Sequence, residues 1–181
     1  MPLSFTAIDF ETACGARSSV CAVGMARVRD GAVVETYERL VCPPQGPWSF
    51  TNTWVHGIGP DDVLDAPTWD RLLPEVLGFI GGDVLVAHNA PFDRSVLVRA
   101  SQECGCPDPG LDFVCTLKIA RAVLRLDSYT LPRVTAELGL PTFDHHEAGA
   151  DARAAASIAV ALAARAGVDD LRALAAVRAV A

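Results

Sequence analysis

Phe5-Thr6-Ala7-Ile8-Asp9-Phe10-Glu11-Thr12 is an apolar run that closes on two carboxylates one residue apart. Its composition predicts a first strand over residues 3–10. In a strand, side chains i and i+2 share a face, so Asp9 and Glu11 point one way and Phe10 the other. Two acids held that close repel each other. Two readings are open at this point. They are solvated acids at a strand end, or they are ligands of a divalent cation such as Mg2+, which takes one or two carboxylates and leaves its other positions to water and phosphate.

Outward from this strand, residues 20–28 and 32–41 predict two more strands joined by Arg29-Asp30-Gly31. Asp-Gly signals a tight hairpin because glycine accepts positive φ without a steric penalty. A Pro/Gly-rich stretch over 42–60 follows, with Trp48, Trp54 and His56, and reads as a functional loop. Residues 68–80 have helical spacing, with Leu72, Leu73, Val76, Leu77 and Ile80 recurring at three- and four-residue steps despite Pro74. Residues 84–87 read as a buried strand and 91–101 as a helix, with Pro91 in the first turn, where its missing N–H costs nothing. Beyond them, 111–114 predicts a strand and 116–126, 131–138 and 148–166 predict helices. Residues 168–181 predict a last helix, taken as a packing element rather than a docking tail. A hairpin followed by alternating helices and strands means an α/β domain whose mixed sheet builds one antiparallel strand into a parallel array. The expected organisation is one domain over 1–181, with its core over about 3–166. Ligands of such sheets collect beyond the carboxyl ends of the parallel strands, where Asp9 and Glu11 stand.

The chain carries fifteen basic and twenty-two acidic side chains, a net charge of -7, and Lys118 is its one lysine. Coating of duplex DNA through many phosphate contacts does not fit that balance. A grip on a few nucleotides at a strand end does, with metal ions supplying positive charge. The six cysteines form no C-x-x-C pair and the histidines no H-x3–5-H, so structural zinc is not expected. No apolar stretch approaches the roughly 18 residues of a membrane span, and Met-Pro-Leu-Ser-Phe has no signal-peptide character, so a cytoplasmic location without membrane contact is expected.

Two further segments carry acids and histidine. In Val86-Ala-His-Asn-Ala-Pro-Phe-Asp93, Asp93 falls in the first turn of a helix that follows a strand, as a cap or as part of a site. In Asp144-His-His-Glu-Ala-Gly-Ala-Asp151, a continuous helix would set His146 and Asp151 about 140° apart. They share a site only if His146 precedes the helix on a loop, which Gly149 and the polar run before it permit.

The order Asp-x-Glu, His-Asn-x-x-Phe-Asp, His-x-Ala-x-x-Asp resembles the three motifs of the DEDDh 3′-to-5′ exonucleases, the DnaQ-like group of the polymerase III epsilon subunit, ribonuclease T and oligoribonuclease. Val55-His-Gly-Ile58 and Cys115-Thr-Leu-Lys-Ile-Ala-Arg121 are similar to segments between those motifs. The resemblance covers residue 5 to about 160. It implies a ribonuclease-H-like fold with helices on both faces of the sheet, and two divalent cations, Mg2+ or Mn2+, held by Asp9, Glu11, Asp93 and Asp151. It makes His146, five residues before Asp151, the general base rather than His145. Thr12, Val55, His56, Asn89 and Phe92 would position the terminal nucleotide of a single-stranded 3′ end. DNA is the favoured substrate, but the motifs do not separate it from RNA, so an RNA-trimming exoribonuclease is the alternative reading, and a proofreading or docking subunit of a polymerase another. A polymerase or a second copy of the chain is the implied protein partner. Three departures stand out: Cys14, where relatives often carry Gly, Asn or Met; Gly59, where many have Thr or Ser and which weakens a cap before Pro60-Asp-Asp62; and Gly149, where Leu is common and which loosens the helix bearing Asp151.

Overall fold

The computed structural model describes residues 3–44, 46 and 49–178, so Trp48 lies outside the described residues. Five strands, β1 (Phe5–Thr12), β2 (Val20–Arg29), β3 (Ala32–Leu40), β4 (Leu85–Ala87) and β5 (Phe113–Cys115), form one sheet in the order β3-β2-β1-β4-β5. β1, β4 and β5 pair in parallel, and β2 pairs antiparallel with both β1 and β3, so β2 alone opposes the rest. The hairpin turns as Asp-Gly predicts, with positive φ at both Asp30 (51°) and Gly31 (77°).

Among the described residues, seven helices accompany the sheet: α1 (Thr53–His56), α2 (Trp69–Ile80), α3 (Ala90–Glu103), α4 (Thr116–Val123), α5 (Leu131–Glu137), α6 (Ala148–Ala166) and α7 (Leu171–Ala176). The stretch read as a loop therefore holds one helical turn, α1, and a 3-10 turn follows it at Asp61–Val63. α7 is shorter than expected. Asp170 starts it by accepting from the Ala173 N–H (2.8 Å), and its Leu174 is fully buried in the core, which makes it a packing element.

The alternation of β1 sorts the core into two layers. Phe5 and Ala7 pack with α4, α5 and α6, while Ile8 and Phe10 pack with α2 and α3 on the opposite face. Phe10 is turned into the second layer, edge-on to Trp69 at 5.7 Å. The Trp69 indole N–H in turn donates to the buried Ser101 hydroxyl (3.1 Å), so its one polar atom is satisfied. Asp9 and Glu11, on the Phe5–Ala7 side, face α6.

α6 approaches that face closely because both surfaces are small. Its buried side is mostly alanine, including Ala148, Ala152, Ala155, Ala156 and Ala159. On the sheet, Gly24 is the β2 residue that pairs with Asp9. A Cβ at position 24 would fall 2.1 Å from the backbone carbon and oxygen of Ala148, so only glycine lets the first turn of α6 rest there. Gly24→Ala should therefore cost about 1–3 kcal/mol, as overpacking does, and should depress catalytic turnover at temperatures where the variant is still folded. Urea unfolding and single-turnover rates measured side by side check both effects.

Candidate active site

β1 continues past Ala7, its last residue paired with β4, and so carries Asp9 and Glu11 into the crevice beyond the parallel strands. α6, seated on Gly24, brings Asp151 from its first turn to the same place. Carboxylate oxygens of Asp9, Glu11 and Asp151 all lie within 4.8 Å of one another. Asp93, in the first turn of α3, is 2% exposed and close enough to Asp9 and Glu11 for their charges to repel. The backbone N–H of Phe10 and its own backbone favour its charged form, yet its Oδ1 is buried with no hydrogen-bond partner.

Burial and mutual repulsion hold these acids well away from their ordinary titration range. Desolvation, then the charges of Asp93, Asp151 and Glu11, pushes Asp9 far up. Desolvation, then Asp151, raises Glu11 to about 8. Asp93 is also raised, chiefly by desolvation, with Glu11 adding to it and Arg17 opposing. A buried acceptor without a partner, set among acids that repel one another, is unfavourable by itself. An all-oxygen donor set of this kind suits hard divalent cations, and these four residues could hold them.

His146 precedes α6 on a loop, as required for it to share a site with Asp151, and adopts a left-handed φ of 73°. Its backbone N–H donates to Asp151 Oδ2 (3.2 Å). Burial, then His145, lowers its pKa, which favours the neutral ring that can accept a proton. His145, set aside by the motif spacing, donates from Nδ1 to Asp151 Oδ2 (2.9 Å) and stacks on His146 with ring centroids 3.8 Å apart. No sequence spacing signalled that contact.

Asp9, Glu11, Thr12, Val55, His56, Phe92, His146 and Asp151 border one open cleft of about 400 Å³. Neither Asp93 nor Asn89 borders it. Asn89 is the left-handed residue (φ 77°) before α3, and its carbonyl accepts from the Phe92 N–H (2.9 Å), which sets the start of the helix. His56 is a tie to β1: its Nδ1 accepts from the Ile58 N–H (3.1 Å), so Nε2 carries the proton and donates to the Thr12 carbonyl (3.2 Å). Asn52 Nδ2 donates to the same carbonyl (3.0 Å). Together they fix α1 and Val55 at the rim, while Trp54 stands 85% exposed outside it. The Phe92 ring is covered by the Arg17 guanidinium, 4.0 Å from its centroid.

His88 also borders the cleft and escaped the sequence reading. Its Nε2–H donates to the Tyr129 carbonyl (2.8 Å), and in the neutral ring that burial favours, Nδ1 accepts from the Thr116 hydroxyl (2.9 Å). The signal was available, since His88 lies two residues after inward-facing Val86. Of the three departures, Cys14 does border the cleft. Gly59 is capped from the other direction, its N–H donating to Asp62 Oδ2 (2.7 Å). Gly149 is tied to the sheet, its N–H donating to Glu38 Oε1 (3.1 Å).

The exonuclease family model, of RNase T type, matches residues 6–159, and the chain belongs to that family. The match bears out the resemblance to the DEDDh, DnaQ-like exonucleases. A PolC-type DNA polymerase III of Thermotoga petrophila is 31% identical over 86% of this chain and 11% of its own length. A Mycobacterium tuberculosis protein, provisionally named a bifunctional exonuclease/endonuclease, is 34% identical over 91% of the chain and 27% of its own length. The chain thus spans about a tenth to a quarter of these relatives. Exonuclease X in complex with 5′-overhanging duplex DNA superposes with a TM-score of 0.74 at 28% identity, covering 91% of this chain and 93% of that one. The nuclease domain of 3′hExo bound to rAMP shares the fold, with a TM-score of 0.77 at 18% identity, covering 92% and 94%. No helix among the described residues is long and apolar enough to cross a membrane.

The raised Glu11 pKa gives a pH dependence with a definite sign. Between its ordinary value of 4.5 and about 8, the folded protein holds a proton that the unfolded chain releases. Stability of the metal-free protein should therefore fall as pH rises through that window. Thermal melts in a chelator should show this loss, Mn2+ should reverse it, and Glu11→Gln should flatten the profile while weakening the Mn2+ effect.

Proposed function

We propose that this domain hydrolyses single-stranded nucleic acid from the 3′ end, DNA in preference to RNA, and releases nucleoside 5′-monophosphates. The observation that carries the reading is the convergence of Asp9, Glu11 and Asp151 oxygens within 4.8 Å, together with a buried Asp93 oxygen without a partner. Residues 1–181 are read as one exonuclease domain.

Two bound Mg2+ or Mn2+ ions would supply charge neutralisation at the scissile phosphate and a lowered pKa for the attacking water. Asp9, Glu11, Asp93 and Asp151 are the residues that would hold them. His146, kept neutral by its surroundings and carried on a loop, accepts the proton of the attacking water. Phe92 offers its ring to a base, an interaction worth about 1–3 kcal/mol with little sequence preference. Thr12, Val55 and His56 border the place of the terminal nucleotide, and Asn89 acts by setting Phe92 and Asp93 at the start of α3. DNA is favoured because the curated relatives include DNA polymerases and the neighbour at 28% identity is seen with DNA. Those polymerases are also the reason to expect a polymerase partner, with self-association the other arrangement to test.

Incubation with a 5′-labelled single strand and Mn2+ should give a ladder of shortened products, and Asp9→Ala should abolish it. His146→Ala should lower turnover at least a hundredfold, within the range of general-base effects, while leaving Mn2+ affinity close to wild type. Loss of metal affinity in that variant would assign His146 to the wrong role. Initial rates on DNA and RNA strands of matched sequence test the sugar preference, and faster cleavage of RNA would overturn it.

A further inference from the structure

Most of the accessible hollow surface lies away from the acids. Three clefts of about 440, 540 and 600 Å³ follow one another from the mouth of the active site, and neighbouring clefts share residues. Arg17, whose guanidinium covers Phe92, borders both the active-site cleft and the first of the three. Arg99 and Gln102 join the first to the second, and Lys118 joins the second to the third. One wall of the second cleft is a single face of α3: Pro91, Arg94, Ser95, Val98, Arg99 and Gln102 recur at three- and four-residue steps. At 1.5 Å per residue that face is about 16 Å long. The path then passes the open edge of β5 and ends beside Arg121 and Arg178.

The charge along this path runs opposite to that of the chain. Arg17, Arg94, Arg99, Lys118, Arg121 and Arg178 border it, against Glu103 and Asp108 as the acids. Among the described residues none of those six cations is in an ion pair. The arginines that are paired, Arg27, Arg29, Arg39 and Arg133, lie elsewhere. A protein of net charge -7 that leaves six cations out of ion pairs around a run of adjoining clefts has the electrostatic footprint of a polyanion track.

We propose that this groove holds the phosphodiester backbone of a single strand upstream of the terminal nucleotides, guiding it along α3 and past the β5 edge. The inference rests on the exonuclease reading above and adds a length preference to it. The domain should favour strands long enough to reach Arg99 and Lys118 over very short oligonucleotides. The contacts are to phosphates, so they position the strand without reading its sequence.

The test is the double charge reversal Arg99→Glu with Lys118→Glu, assayed on a trinucleotide and on a strand of about 20 nucleotides, a length beyond the usual single-strand site sizes. The expected result is at least a tenfold rise in KM on the long strand with kcat unchanged, and an unaltered kcat/KM on the trinucleotide. Anisotropy of a labelled long strand in chelator, measured against salt, should show the slope of log affinity shallower by about 1.4, or roughly 0.7 per lost phosphate contact. An unchanged KM and slope on the long strand would overturn the groove, as would equal losses on both substrates. If the wild type cuts neither strand, the exonuclease reading fails instead, and the anisotropy slope still decides the groove. Unchanged nucleic-acid affinity would leave the patch to an acidic protein partner and would refute the assignment.

Discussion

Four carboxylates share one end of the sheet, and the approach of α6 to Gly24 is what brings the last of them there. Without a side chain at position 24, the backbone of Ala148 rests directly on β2 opposite Asp9. The alanine face of α6 lets the rest of the helix follow at the same depth. Asp151 in the first turn then meets Asp9 and Glu11, and the His145–His146 loop is drawn over the crevice by its bonds to the Asp151 carboxylate. A larger residue at 24 would lift all of this together, so the packing of one glycine and the placement of the site are a single constraint.

The acids so gathered are costly to one another. Desolvation dominates at Asp9, Glu11 and Asp93, and repulsion within the group adds to it. A folded domain retains such strain where it serves a function. Here the bound cations would offset it, and the stability of the fold and the occupancy of the site are therefore linked. The histidines divide along the same lines. His56 and His88 have both ring nitrogens engaged by the protein and hold the walls, whereas His146 keeps a neutral ring on a loop.

Much of this was legible in the chain. Alternation in β1 put Asp9 and Glu11 on one face and Phe10 on the other, Asp30-Gly31 specified the hairpin, and the loop before α6 was required if His146 and Asp151 were to meet. The elements misjudged were those that local pattern does not govern. α1 hides in a Pro/Gly-rich segment because the bonds from His56 and Asn52 to the end of β1 are long-range. Gly149 looked like a flaw in a helix, since nothing local shows that its N–H meets Glu38, more than a hundred residues earlier. His145 was passed over because the motif spacing points to its neighbour His146, and His88 because its partners Thr116 and Tyr129 are distant in sequence.

The sequence by itself determined the order of the five strands, most of the helices and the shared face of Asp9 and Glu11 in β1. Those are consequences of period and residue type, which act over a few neighbours. Only the tertiary structure decided that Asp93 and Asp151 converge on Asp9 and Glu11, which histidine touches which carboxylate, and that unpaired cations scattered over α3, α4 and the C-terminal segment line a run of adjoining clefts. Such outcomes depend on how closely separate elements pack, and that is set by contacts such as Ala148 on Gly24 that no short stretch of sequence contains.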